Sequence, residues 1–430
     1  MKRNVFVIAL EEQQRKEFQT IRRAQAFNLY GVLDVATAVE SADKFSFNEL
    51  LEKARKEIAS HECSVDAIVA HWDFPTSVMV PLLCKEQRIP SPSVESVLKC
   101  EHKYWSRLEQ NKVIPECVPD FCSINPFEKD PFDQVTLDYP FWLKPVKAFS
   151  SQLGFKIENK QQFDEAINTM RDDIRHFGDP FNEALDKVEL PPEIEERDGN
   201  TCIAEKLIDG VQAAPEGTMF HGEFNVHGII SQPCSTDSGL FDRLEYPSNL
   251  PENIHRRMIL ACKKFLKHID FDNGCFNAEF MWDENDDKLW LIEVNTRISQ
   301  SHSEIFIMVD GMSNHEVAID IALGERPSLP NREGPYPVAA KCYIPYQKKD
   351  GIVTGLPTQE EIEKLKNRFP GLIVKFTVEK GTRLSELVNQ NAFCYQLGTL
   401  FIPAESHEQL NERYMACLEA LEFKIDPIHQ

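Results

Sequence analysis

The sequence lacks two features that would point to a membrane or to nucleic acid, namely long apolar runs and an excess of positive charge. No segment of the 430 residues approaches the roughly 20 apolar residues that a membrane-spanning helix needs. The 47 basic and 69 acidic residues give a formal net charge of −22, which disfavours nucleic acid and anionic membranes as partners. The same charge still permits a local basic pocket for a nucleotide.

A secretion signal and a framework of disulfides or zinc ligands are also missing. The apolar stretch at residues 4–10 is too short for a signal peptide, and two glutamates follow it without a small-residue cleavage site. The twelve cysteines include no C-x-x-C pair and no Cys/His cluster at zinc spacing. We therefore expect free thiols and a cytoplasmic location, because cytosolic cysteines are normally kept reduced.

The glycine-rich loops that commonly bind phosphate groups are absent as well. No G-x-x-x-x-G-K-[ST] run occurs, so a P-loop nucleotide site is excluded. A dinucleotide fold would need glycines after the first predicted strand, but the turn there reads Glu11-Glu12-Gln13 and would repel a phosphate. Any nucleotide must therefore bind elsewhere in the chain.

The order of predicted elements indicates an α/β protein with an α+β tail. A chain of this length is too long for one compact core, so two or three domains are expected. Residues 1–93 alternate strand and helix, which predicts a Rossmann-like, mostly parallel sheet. Residues 94–330 form a central domain, and residues 331–430 mix strands and helices in a small C-terminal domain.

The segment 276–302 holds the strongest candidate for a site. It reads as two strands joined by a polar turn. If Asp283 lies opposite Leu289, Glu279 lies opposite Glu293, with side chains about 5 Å apart. Two facing carboxylates repel each other unless a cation lies between them. The hairpin therefore predicts a cation site, and the alternative is an ordinary amphipathic hairpin with one wet face.

Two further residues on the same face favour the functional interpretation. Asn295 and Arg297 alternate with Glu293 along the second strand, so all three point the same way. Two carboxylates and an amide oxygen are hard ligands that suit Mg²⁺, which completes its shell with phosphate oxygens. We predict that Glu279, Glu293 and Asn295 bind Mg²⁺, with Mn²⁺ as an alternative, beside a nucleotide.

This hairpin resembles the metal-binding signature of the ATP-grasp superfamily, in which an acidic strand is followed by E-x-N-x-R. The resemblance implies ATP and Mg²⁺ as cofactors. It also implies an ATP-grasp fold with an N-terminal Rossmann-like pre-ATP-grasp domain, a central ATP-grasp domain and a small C-terminal α+β domain. The central domain would carry a lid at about residues 140–208.

Upstream lysines match the phosphate-binding positions of that superfamily. Lys103 lies on a predicted helix at 93–111, where the family has a lysine that reaches the phosphates. Lys144 lies in an apolar strand, where a lysine needs an anionic partner such as a phosphate. The family's next loop is usually glycine-rich. Here the side chains of Lys147 and Ser151 are expected to substitute for its backbone amides.

A later strand is similar to the family's adenine hinge. The resemblance implies that the backbone of Glu205, Lys206 and Leu207 contacts the adenine edge. Asp209 or Gln212 would then lie near the ribose or the phosphates.

The resemblance further implies an ATP-dependent ligase. A small-molecule carboxylate would attack the γ-phosphate to give an acyl phosphate, and a small-molecule amine would then displace phosphate. Arg297 would orient the carboxylate and stabilise the tetrahedral intermediate. Such enzymes are compatible with a homodimer.

Two alternatives remain beside a carboxylate–amine ligase. The motif of residues 293–302 also resembles biotin carboxylase, which uses bicarbonate, but Ser301 stands where that family has its glutamate base. This departure favours the carboxylate–amine ligase over the carboxylase. A non-catalytic ATP-binding regulator is the second alternative, although such a binder would not need both acidic ligands and Arg297.

Overall fold

The computed structural model describes most of the chain, and the helices and strands below lie within its described ranges. These ranges are residues 2–39, 45–147, 153–233, 243–347, 349–387 and 395–428. The predicted phosphate contact Ser151 lies outside the described residues. Among the helices of these ranges, none combines the length and the apolar character that crossing a membrane would require.

The strands and helices are numbered in chain order. The strands are β1 (Arg3–Ile8), β2 (Phe27–Val32), β3 (Ala67–Ala70), β4 (Phe121–Ile124), β5 (Phe141–Pro145), β6 (Phe155–Ile157), β7 (Cys202–Lys206), β8 (Val211–Phe220), β9 (Glu223–Gln232), β10 (Arg243–Tyr246), β11 (Gly274–Asp283), β12 (Lys288–Asn295), β13 (Val338–Tyr346), β14 (Gly351–Gly355), β15 (Ile373–Phe376), β16 (Tyr395–Ala404) and β17 (Lys424–Pro427). The helices are α1 (Glu12–Phe18), α2 (Val35–Ala38), α3 (Phe47–Ala59), α4 (Thr76–Gln87), α5 (Val94–Glu101), α6 (Lys103–Val113), α7 (Lys160–Asp173), α8 (Arg175–Leu185), α9 (Pro192–Glu195), α10 (Glu252–His268), α11 (Ser303–Asp310), α12 (Asn314–Ala322), α13 (Gln359–Arg368) and α14 (His407–Ala420).

The first sheet is parallel and has the strand order β2-β1-β3. Its central strand is buried on both faces: Phe6 and Ile8 join one apolar cluster, whereas Val5 and Val7 join another. Burial on both faces is why β1 reads as a continuous apolar run. This sheet has the Rossmann-like build that the alternating pattern of residues 1–93 predicts.

A second, antiparallel sheet has the order β4-β7-β5-β6. Helix α7 packs on it because Phe163, Ile167 and Met170 recur at helical spacing and meet the buried Phe141 of β5. The sheet holds both Lys144 and the predicted adenine hinge, and therefore forms one wall of the predicted nucleotide site.

The largest sheet joins the central and the C-terminal parts of the chain. Its strand order is β12-β11-β8-β9-β10-β13-β16-β15. The hairpin β11–β12 lies at one edge, and β10 pairs with β13 to continue the sheet into the C-terminal segment. The strands β13, β16 and β15, beyond residue 330, therefore extend the sheet that carries the hairpin.

The predicted helix at 93–111 is divided in two at His102. His102 Nδ1 accepts from the Trp105 N–H at 3.2 Å, so its Nε2 carries the proton and donates to Arg197 O at 2.8 Å. Burial lowers the pKa of His102 to about 4, which keeps the ring neutral. The break places Glu101 and Lys103 on either side of one junction, beside the strand that carries Lys144.

Helix α10 offers a matched test of the core that supports the hairpin. Phe265 is fully buried against this core, whereas Leu260 on the same helix is 53% exposed. We expect Phe265→Ala to lower the free energy of unfolding by about 3–5 kcal/mol through lost burial and a cavity. Leu260→Ala is expected to change it by less than about 0.5 kcal/mol. Thermal unfolding of both variants would measure the difference, and equal melting temperatures would contradict this account of the core.

Candidate nucleotide and metal site

The two acidic residues of the hairpin do face each other. Glu279 and Glu293 are direct partners in the antiparallel pair of β11 and β12. The turn is one residue tighter than predicted, because Asp283 lies opposite Lys288. A bulge between Glu279 and Phe280 shifts the register by one residue and restores the predicted pairing. The prediction of facing carboxylates is confirmed, although the assumed closure of the turn is wrong.

Glu279 is surrounded by amide groups. It accepts hydrogen bonds from Gln212 Nε2 at 2.8 Å and from Asn295 Nδ2 at 3.2 Å. Burial, together with the charge of the facing Glu293, raises the pKa of Glu279 to about 8. Among the described residues no lysine or arginine forms an ion pair with this carboxylate. Glu279 is therefore the acidic group whose ionised form a bound cation would favour most.

Glu293 faces a lysine instead. Lys103 Nζ lies 3.7 Å from Glu293 Oε2. Although burial opposes ionisation, the charges of Lys103 and Lys144 lower the pKa of Glu293. Burial in turn lowers the pKa of Lys103, which the charge of Glu293 partly offsets. Lys103 therefore lies beside the predicted metal ligands, as a phosphate-binding lysine would.

Lys144 has a partner within the protein. Its Nζ lies 2.6 Å from Glu205 Oε2, and Arg107 Nε donates to Glu205 Oε1 at 2.5 Å. Although burial opposes it, these two cations lower the pKa of Glu205 to about 2. The Glu205 side chain is thus a structural anion, and Lys144 does not need a phosphate to be stable in its strand.

Arg107 connects the second sheet to the hairpin. Besides Glu205 on β7, it donates from Nη1 to Leu291 O and from Nη2 to Ile292 O on β12, both at 2.8 Å. Its Nη1 also donates to Gln110 on its own helix at 2.7 Å. One buried guanidinium therefore fixes α6, β7 and β12 relative to one another.

Lys147 is also buried and paired. Its Nζ donates to Glu101, the last residue of α5, and lies 5.7 Å from the centroid of the Phe74 ring. The other oxygen of Glu101 accepts from Ser77 Oγ at 2.5 Å. The prediction placed Lys147 in a loop that covers phosphate, and the structure places it beside α5 and α4.

Arg297 is oriented by a residue from the N-terminal sheet. Its Nε and Nη2 donate to the two oxygens of Asp73 at 2.8 and 2.7 Å. This forked arrangement suits the planar guanidinium. Although burial alone would raise the pKa of Asp73, Arg297 lowers it. The aspartate fixes the plane of Arg297 and leaves Nη1, which also reaches Ile298 O at 3.3 Å, facing another direction.

The predicted hinge residues differ in what they can offer a nucleotide. The Lys206 N–H donates to Asp120 O at 2.9 Å and is therefore engaged by the protein itself. Lys206 is exposed at the end of β7, and Leu207 is partly exposed just beyond it. Gln212 contacts Glu279 and lies with the acidic pair, so the structure brings it to the predicted metal ligands.

The described charged groups of the site balance one another. Five cations meet five carboxylates, and the members are Lys103, Arg107, Lys144, Lys147 and Arg297 with Asp73, Glu101, Glu205, Glu279 and Glu293. Four of the carboxylates pair with those cations, which leaves Glu279 held by amides alone. A divalent cation between Glu279 and Glu293 would compensate the repulsion that the register creates.

The donor set fits magnesium better than a metal that needs a complete protein cage. Within the described ranges, no group of three or more His, Cys, Asp or Glu side chains is arranged to hold a metal. Mg²⁺ usually takes one or two carboxylates and fills its other positions with water and phosphate oxygens. Asn295 now points Nδ2 at Glu279, so its amide would turn over to present an oxygen.

Three partners of the site were not identified from the sequence. Asp73, Glu101 and Arg107 lie far along the chain from the residues they contact. Arg107 was detectable in part, because an arginine on the inward face of a predicted helix needs a buried anion. Asp73 follows the strand β3, and the end of a parallel strand is a common place for functional side chains.

Comparisons with known proteins agree with this geometry. Residues 137–304 match the family model of the ATP-grasp domain. An L-amino acid ligase structure from Bacillus licheniformis aligns with 100% of this chain and 99% of its own, at a TM-score of 0.71 and 17% identity. A biotin carboxylase structure from Campylobacter jejuni aligns with 98% of this chain and 92% of its own, at a TM-score of 0.64 and 16% identity.

A third solved structure shares the fold. N5-carboxyaminoimidazole ribonucleotide synthetase from Thermotoga maritima aligns with 98% of this chain and 99% of its own, at a TM-score of 0.64 and 14% identity. A search of curated proteins found no match. The chain carries an ATP-grasp domain, and its overall fold is the ATP-grasp fold. The resemblance seen in the hairpin motif is thereby confirmed.

Mg²⁺ binding is testable through stability. We expect Mg²⁺ with a non-hydrolysable ATP analogue to raise the melting temperature. At a hundredfold excess of ligand over Kd, the free energy of unfolding should increase by about 2.7 kcal/mol. Glu279→Gln should lose most of this increase, because it removes one of the two facing carboxylates. Without ligand, the variant should be at least as stable as the parent protein. An undiminished increase in the variant would contradict the metal assignment.

The lowered pKa of Glu205 predicts that the folding stability falls at acid pH. Its folded pKa of about 2 lies below the ordinary value of 4.5, so its stabilisation is present above about pH 4.5 and is lost as the pH falls towards 2. Glu205→Gln should cost about 3–5 kcal/mol near neutral pH, because two buried cations lose their anion.

The corresponding stability curve should also flatten between pH 4.5 and 2 in Glu205→Gln. Glu360 is exposed and paired with Lys364, and Glu360→Gln serves as a control expected to change little. Parallel acid unfolding curves for the parent and Glu205→Gln would contradict the structural role of the Glu205 anion.

Proposed function

We propose that this protein is an ATP-dependent ligase that activates a small-molecule carboxylate as an acyl phosphate and joins it to an amine. The observation that carries the proposal is the facing, half-buried pair Glu279 and Glu293. The charges of Lys103 and Lys144 act on Glu293, and the charge of Arg297 acts on Glu279. This arrangement suits a metal-bound triphosphate between two sets of cations. A protein that only binds ATP would need neither the second carboxylate nor an oriented arginine.

The lysines of the site would stabilise the phosphate charges. Lys103 lies beside Glu293, and its lowered pKa means that a nearby anion would favour its charged form. Lys144 and Lys147 are already paired with glutamates, so phosphate oxygens would share these cations with Glu205 and Glu101. Because the pairs are preformed, the cations need little reorganisation when charge develops in the reaction.

A bound Mg²⁺ would neutralise phosphate charge and orient the γ-phosphate for attack. Glu279, Glu293 and Asn295 would hold it. Gln212 would stay within hydrogen-bonding distance of Glu279 and help to fix the orientation of that carboxylate.

Arg297 would position the carboxylate substrate. Asp73 accepts from Nε and Nη2 and fixes the plane of the guanidinium, so Nη1, which also reaches Ile298 O at 3.3 Å, would be the donor left for the substrate. The substrate carboxylate oxygen attacks the γ-phosphorus, the bond from that phosphorus to ADP breaks, and an acyl phosphate forms. The amine then attacks the acyl carbon, inorganic phosphate leaves, and the ammonium proton is released to solvent.

Ser301 favours an amine over bicarbonate as the second reactant. The biotin carboxylase motif has a glutamate base at this point, whereas the Ser301 hydroxyl here accepts a hydrogen bond from Lys341 at 2.8 Å. The similarity of fold to an L-amino acid ligase supports amino acids as the first substrates to examine. Bicarbonate with free biotin is the corresponding test of the carboxylase alternative.

We further infer a cytoplasmic location. The described cysteines are all free, and most of them are buried, which suits a reducing compartment. Homodimer formation stays a prediction that a measurement of mass in solution would settle.

The activity is tested by ADP and phosphate release with a panel of amino acids and small carboxylates. We expect release to require both a carboxylate and Mg²⁺, and Glu293→Gln to reduce kcat by about 10²- to 10³-fold. The exposed Glu360→Gln is the control and should retain full activity. If Glu293→Gln turned over normally while ATP still bound, the assignment of this site would be wrong. Release that needs bicarbonate and biotin alone would favour the carboxylase.

A further inference from the structure

The chain that follows Arg297 turns against the C-terminal strands. Gln300 Nε2 donates to His71 O at 2.9 Å, and Lys341 Nζ on β13 donates to Ser301 Oγ at 2.8 Å. Four residues of chain span at most about 14 Å, so the Cα atom of Ser301 lies within that distance of Arg297. This upper bound places the contact between Lys341 and Ser301 in the same part of the fold as Arg297.

Lys341 differs from the neighbouring Lys375 in having no carboxylate as a direct partner among the described residues. Lys375 on β15 pairs with Glu304 of α11. The next carboxylate, Glu17 of α1, lies 3.0 Å from His315 Nε2. Within the described part of the chain, no carboxylate forms an ion pair with Lys341. The region therefore carries an ammonium group whose charge no described carboxylate neutralises by direct contact.

The surroundings of Lys341 disfavour that charge. Burial lowers the pKa of Lys341 to about 8, although the charge of Glu304 offsets part of this effect. Its side chain is partly exposed, and its ammonium lies 5.5 Å from the centroid of the Tyr343 ring. A lysine that only packs would extend its ammonium to water. This one is instead directed at a hydroxyl that follows the substrate-binding arginine.

We propose that Lys341 Nζ and Ser301 Oγ bind an anionic oxygen group, a carboxylate or a phosphate, at the far end of the acid that is activated beside Arg297. The substrate is then a dianionic acid, with one carboxylate that reacts and a second anionic group that only binds. This inference rests on the proposed function and names its substrate class. Lys341 and Ser301 are binding and positioning residues in this scheme.

Pairs of acids with nearly the same shape, of which only one carries a second anionic group, isolate the effect of that charge on binding. The pairs are L-glutamate with L-glutamine, L-aspartate with L-asparagine, and O-phospho-L-serine with L-serine, and the third pair distinguishes phosphate from carboxylate. Binding to the full-length protein is measured by calorimetry, and turnover is measured as ADP release in the presence of glycine as the amine. We expect at least one dianionic acid to bind about 10- to 100-fold more tightly than its neutral partner.

The variants test the residue. Lys341→Met should raise the KM and Kd of the dianionic acid about 10- to 100-fold, leave kcat within about twofold, and not affect the neutral partner. Lys341→Arg should restore part of the affinity. Ser301→Ala, which keeps the lysine, should weaken binding by several-fold. Lys364→Met, at an exposed position, is the control.

Several results would overturn the inference. One is equal affinity for neutral and dianionic acids. Another is a Lys341→Met variant that lowers kcat and leaves KM unchanged. The proposed function is judged separately, by whether any acid drives ADP release. Binding of a dianionic acid that depends on Lys341, without turnover, would support this inference while contradicting the ligase activity. Turnover of neutral acids that does not depend on Lys341 would support the ligase activity while contradicting this inference.

Discussion

The half-buried pair of facing carboxylates at the edge of the large sheet is the constraint on which the site depends. Backbone register places Glu279 and Glu293 directly opposite each other on adjacent strands. Like charges in a buried place are costly, so each needs compensation. Glu293 receives it from Lys103, and Glu279 is left with a raised pKa and two amide donors. A divalent cation is the addition that would relieve both.

The remaining charges are paired in a way that prepares the site for a highly charged ligand. A buried lysine without an anionic partner loses its proton or destabilises the fold. Lys144 and Lys147 instead have anionic partners within the protein, Glu205 and Glu101. Arg107 ties the sheet that carries Lys144 to the strand that carries the acidic pair, so the spacing between cations and carboxylates is set by one buried group.

The sequence was sufficient for the parts of the site that follow from local periodicity. Alternation along two strands predicts that Glu279 and Glu293 face each other, and the order of the motifs predicts the ATP-grasp fold. The tighter turn and the compensating bulge were not predictable, because only their sum affects which residues pair. Asp73 and Arg107 were missed because their partners come from other elements, and the contacts exist only once the sheets have packed.

The two halves of the reaction site differ in how the chain builds them. The half that would bind ATP and metal is concentrated in the hairpin and the second sheet, and a sequence motif describes it. The half that would bind the acid is assembled from the turn after Arg297, the end of β3 and the C-terminal strands of the same sheet. Ser301 and Lys341 meet there because α11, which begins two residues after Ser301, packs against β13. On this proposal, specificity would change through the C-terminal strands while the residues proposed to bind metal and phosphate stay the same, since the two sets share a sheet but no side chain.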